Sequence, residues 1–127
     1  MNKKTNTDIN FNKVEDCNLV ADKELLSMLK ANRYRDLIEL MATFPGYSIT
    51  NALLIKAQNP KASEVAKMRV WGTRGRDVRE GAVPQKIVVG VYSENYHTSE
   101  DGEIQKDGEI QKTGDMISYV YDISQTE

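Results

Sequence analysis

The residues best equipped for chemistry lie between positions 69 and 79. Arg69, Trp71, Arg74, Arg76 and Arg79 put four guanidiniums and one indole within eleven residues, with Gly72 and Gly75 among them. An indole can stack on the π-face of any unpaired base, and a guanidinium can hold a phosphate through two parallel N–H donors. The glycines would let backbone come close to a phosphodiester. A sole tryptophan is also a natural core anchor, and surface arginines are ordinarily solvated, so the same residues have a purely structural reading. Asn51 and Gln58 are double-edged in the same way. Helical spacing puts them on one side with Leu54 and Ile55, where their amides can serve the helix or meet a base edge.

Catalysis is poorly supplied. His97 is the single histidine and sits beside an acidic stretch, and Cys17 stands in Glu15-Asp16-Cys17-Asn18. Neighbouring negative charge disfavours a thiolate. There is no H-E-x-x-H, C-x-x-C, G-x-S-x-G or P-loop. The expectation is a non-enzyme with no cofactor and no metal site. One cysteine permits no internal disulfide and fits a reducing cytoplasm. No run approaches the roughly 20 apolar residues of a membrane span, and Met1 to Asn12 lack the apolar stretch of a secretory signal.

A net charge of −2 hides an asymmetry. Residues 1–51 balance at seven basic and seven acidic, residues 52–90 carry eight basic against three acidic, and residues 91–127 carry two against nine. The middle third, with Lys61, Lys67 and Lys86 beside the arginines, can attract a polyanion.

These residues must be placed by the surrounding elements. Residues 1–21 read as a loosely ordered lead-in, with Asp22 as a helix cap. Leu25, Leu26 and Leu29, then Leu37, Leu40, Met41 and Phe44, mark helical faces. A straight helix would drive Arg33 into the apolar stripe, so a break is expected near Ala31–Asn32, and Pro45–Gly46 stops the second stretch. Ser48 caps a further helix that ends before Pro60. Ala62 to Arg74 is ambiguous: Ala-Ser-Glu favours a helical turn and Met68 to Trp71 a strand. Lys86 to Tyr92 and Met116 to Ile123 read as partner strands. Between them lies an acidic connection, Ser93 to Asp115, holding a tandem hexapeptide, Asp101 to Lys106 and Asp107 to Lys112. Two six-residue copies are too few for a solenoid and read as a local duplication lengthening a hairpin.

Taken in order, Tyr47-Ser-Ile-Thr-Asn51, Leu53-Leu-Ile55, Gln58-Asn-Pro60-Lys-Ala62, Val65-Ala66, Trp71, Gly75-Arg76-x-Val78-x-x-Gly81 and Val120-Tyr-Asp122-Ile-Ser-Gln125-Thr126 give a specific combination. Over residues 22–127 the chain resembles the N-terminal domain of ArdC-type antirestriction proteins and related LtrC-like proteins. The resemblance implies single-stranded-DNA binding by a module of a conjugative element. In that family a metallopeptidase-like domain follows, so the parent protein is expected to continue beyond residue 127. Family roles carry over to Asn51, Gln58, Trp71, Arg76 and Gln125. Where family members place a proline after the apolar strand, this chain has Gly90.

The expected architecture is α+β, with N-terminal helices packed on a small, mostly antiparallel sheet bearing a long acidic hairpin. The expected function is sequence-tolerant binding of single-stranded DNA. Trp71 would stack, Arg69, Arg74, Arg76 and Arg79 would hold phosphates with Lys61, Lys67 and Lys86, and Asn51 and Gln58 would orient the groove. The rival expectation is a protein-interaction module whose acidic hairpin imitates DNA charge to occupy a restriction enzyme.

Overall fold

The computed structural model describes residues 8–98, 100 and 102–127. Helix α1 (Val14–Lys30) begins well before Asp22, so its first turns fall in the stretch expected as a loose lead-in. Lys13 at the N-cap makes no side-chain bond, which is why no capping signal marks the true start. Asp16 and Cys17 of that first stretch are buried. Asp16 faces back and accepts the Asn10 N–H at 3.0 Å.

The expected break is present. Asn32 takes a left-handed conformation at φ 55°. The Asn32 and Arg33 N–H groups then donate back to Leu29 O and Met28 O at 3.2 and 2.9 Å, the two bonds of a Schellman ending. Arg33 thereby leaves the apolar stripe and pairs with Asp36 at 2.8 Å. Helix α2 (Tyr34–Thr43) ends before Pro45. Leu40 and Phe44 turn inward, but Met41 is half-exposed rather than part of that inner face. Helix α3 (Ile49–Gln58) is capped by Ser48, whose hydroxyl accepts the Asn51 N–H.

The ambiguous segment resolves the other way round from its local propensities. Ser63–Glu64 lead into a short strand, β1 (Val65–Ala66), and Met68–Thr73 form a one-and-a-half-turn helix, α4. Strands β2 (Gln85–Thr98) and β3 (Ile104–Asp122) follow, and the sheet order is β1-β3-β2, antiparallel throughout. Both long strands exceed their expected lengths because the acidic connection is itself paired, from Val91↔Gly114 out to Thr98↔Ile104, with two register shifts. The side chain of His97 and Asp101 of the tandem repeat lie outside the described residues. A 3₁₀ turn, Ile123–Gln125, closes the chain.

The fold is therefore α+β, helices against a small antiparallel sheet. Its core joins Cys17, Ala21 and Met28 of α1, Leu40 of α2, Ala52 to Ile55 of α3, and Ile87 and Val120 of the sheet. Burial raises the Cys17 thiol, and the adjacent Asp16 carboxylate adds to the effect, so this thiol is an inert core group. Among the described residues, no helix is long and apolar enough to cross a membrane, and no cluster of three potential metal ligands occurs.

Candidate nucleic-acid interface

The residues expected to form one cationic, aromatic surface do not do so. Trp71 is 1% exposed, and its indole N–H donates to Tyr121 O at 2.8 Å. A ring sealed in this way cannot stack on a base. Arg74 lies over the buried indole, 5.2 Å from its centroid, and pairs with Glu64 at 2.9 Å. Arg76 donates to Thr126 Oγ1 and Thr126 O, and Arg79 donates to Ser124 O at 2.7 Å. Arg76 and Arg79 thus clamp the C-terminal turn, and Arg74 is held between Glu64 and the indole. Lys61, Lys67 and Arg69 are exposed, and with Lys86 they make no ion pair among the described residues.

Asn51 and Gln58 are also committed. Asn51 Nδ2 donates to Val88 O while its Oδ1 accepts the Val88 N–H, at 2.8 and 2.9 Å. Gln58 repeats the arrangement at Lys86, donating to the carbonyl at 2.7 Å and accepting the N–H at 2.8 Å. The helix spacing did make neighbours of the two amides. Their partner is the outer edge of β2, where each side chain replaces the backbone of an absent neighbouring strand.

The closing motif has a structural role as well. The buried Asp122 carboxylate accepts the N–H groups of Ser63 and Glu64 through Oδ1, and the N–H and hydroxyl of Ser124 through Oδ2. Gln125 Oε1 accepts the Asp122 N–H, completing a reciprocal cap. Burial alone would raise this carboxyl, but the bonds from Ser124, Ser63 and Glu64 outweigh it and hold its pKa below the usual value. The folded-state pKa is depressed, so the stabilisation is present above the unfolded value of about 3.9 and is lost as pH falls through the folded value. Urea unfolding at pH 7 should find Asp122→Asn less stable by about 1–3 kcal/mol, with the gap narrowing as pH is lowered into that range. A pH-independent gap would show that the charge is not what matters.

A different surface is partly open. The pleat sends Gln85, Ile87, Val120 and Asp122 to one face, and all four are buried. The opposite face carries Lys86, Val88, Ile117, Tyr119 and Tyr121. Tyr119 is 48% exposed and sits directly across from Lys86. Tyr92, 61% exposed, joins this face because its ring folds back over Gly90: a Cβ at position 90 would come within 2.7 Å of Tyr92 Cε2. Glycine at that position is what admits the ring. Lys112 is the cross-strand partner of Tyr92 and pairs with Asp115 at 2.8 Å. The chain finds no match among family models, curated proteins or solved structures.

Two tyrosines with lysines opposite them, on a sheet face and separated by half-buried Val88 and Ile117, make a platform that an extended strand of bases can lie on. From Lys86 to Tyr92 the strand runs about 20 Å at 3.3 Å per residue, enough for several bases. Lys67 follows directly on Ala66, which pairs with Tyr121, and Arg69 is exposed in the first turn of α4 that comes next. The sequence contained a signal for this face in the alternation Ile117-Tyr119-Tyr121. The intervening Val120 is apolar too, so alternation alone could not say which set was open.

Proposed function

We propose that this chain binds single-stranded DNA without strong sequence preference, as a module of the ArdC-like kind, and that it does so on the open sheet face. The supporting observation is exposed Tyr119, with partly buried Lys86 across the strands from it and the Tyr92 ring further along the same face. The tyrosines offer flat apolar surface that any base can cover, and Lys86, Lys67 and Arg69 supply cations that have no ion pair among the described residues. A duplex hides its base faces, so stacking on this platform favours the single strand.

Fluorescence anisotropy with matched single-stranded and duplex oligonucleotides tests this reading. The single strand should bind more tightly, and neutralising about three phosphates should give log affinity a slope near −2 against log salt. Lys86→Glu should weaken binding and flatten that slope. A slope near zero, or equal affinity for duplex, would sink the proposal. The acidic ribbon, which the β2–β3 ladder holds extended, would then be the stronger functional candidate as a charge mimic.

A further inference from the structure

Helix α2 has two apolar sides, and the fold uses one. Leu40 and Phe44 are buried and Leu37 packs against the same core. Tyr34, Ile38 and Met41, spaced i, i+4 and i+7 along the helix, form a second stripe that faces outward. Ile38 is 65% exposed, and the other two are half-exposed. Three large apolar side chains in register on one solvent-facing stripe call for a partner.

We infer that α2 is a self-association surface and that its partner is a second copy of this chain, packed antiparallel about a twofold axis near Ile38. The argument is self-complementarity. In that arrangement Ile38 meets Ile38 of the second copy, and Tyr34 meets Met41, a favourable sulfur–aromatic contact. A twofold of this kind also sets each helix flank against the same flank of its mate. Arg35 and Glu39 share one flank, so Arg35 of each copy comes beside Glu39 of the other. Neither residue has an ion pair among the described residues, although they stand four apart on one helix. Arg33 and Asp36 are already paired with each other and do not compete. The stripe is small beside the roughly 800 Å² per partner of a standard interface, so the association is weak and concentration-dependent.

Sedimentation velocity on the full chain over a wide concentration range reads this directly. The weight-average mass should climb from 14.4 kDa towards twice that value. Ile38→Asp, at an exposed position and checked by circular dichroism for an unchanged fold, should stay monomeric throughout. Arg35→Glu and Glu39→Arg should each weaken association about tenfold, because each sets like charges across the twofold. Mixing these two variants should restore it, since every cross-interface contact then joins opposite charges. A wild type that remains monomeric overturns the inference. So does association that Ile38→Asp leaves intact, or a mixture that associates no better than its components.

Discussion

Replacing Trp71 by alanine is expected to lower the unfolding free energy by about 3–5 kcal/mol, while the protein that remains folded keeps its affinity for single-stranded DNA. The indole is the largest fully buried side chain among the described residues, so its removal leaves a cavity between α4 and the sheet. It also removes the bond from the indole N–H to Tyr121 O. Trp71→Phe keeps most of the volume and loses the donor, and should cost roughly half as much. Urea unfolding followed by far-ultraviolet circular dichroism gives the stabilities, and anisotropy at a temperature where both variants are folded gives the affinities. If DNA binding collapses in a fully folded Trp71→Phe variant, the indole itself contributes to recognition.

The opposite pattern is expected at the open sheet face. Tyr92→Ala and Tyr119→Ala should each reduce affinity for single-stranded DNA by about tenfold to a hundredfold, the value of one stacked base at 1–3 kcal/mol. The melting temperature should hardly move, because both rings are exposed and neither belongs to the core cluster. Phenylalanine at either position retains the π-face and should retain most of the affinity, which separates stacking from a hydroxyl hydrogen bond. Unchanged binding in the double alanine variant would remove the platform from consideration, whatever the lysines do.

The two experiments together describe how far the sequence could be read. Elements marked by local chemistry were legible: the Ser48 cap, the stop at Pro45–Gly46, the end before Pro60 and the break that spares Arg33 all depend on a few adjacent residues. The start of α1 was not legible, because Lys13 contributes no capping bond. Nor was the exchange of helix and strand between Ser63 and Thr73, where tertiary contacts override weak propensities: Asp122 holds Ser63 and Glu64 extended, and Trp71 anchors α4.

The site was harder for the same physical reason. The spacing of Asn51 and Gln58 correctly made them neighbours, but their partners Val88 and Lys86 lie far along the chain. Arg76 and Arg79 likewise find their acceptors at Thr126 and Ser124. A cluster of guanidiniums in sequence says nothing of acceptors that only folding brings near. Several residues that carried the ArdC-like resemblance, Asn51, Gln58, Trp71, Arg76, Asp122 and Gln125, make side-chain bonds to backbone that hold this fold together. A likeness built on them speaks to architecture before it speaks to binding.

The two amides on β2 have one more consequence. A strand at the rim of a sheet ordinarily offers its bare peptide groups to any passing chain, and many proteins must guard against sticking together there. Here Asn51 and Gln58 occupy the rim at Val88 and Lys86, so this stretch of β2 cannot recruit a foreign strand without first prising α3 away. Along that stretch, resistance to clumping is tied to the docking of a single helix.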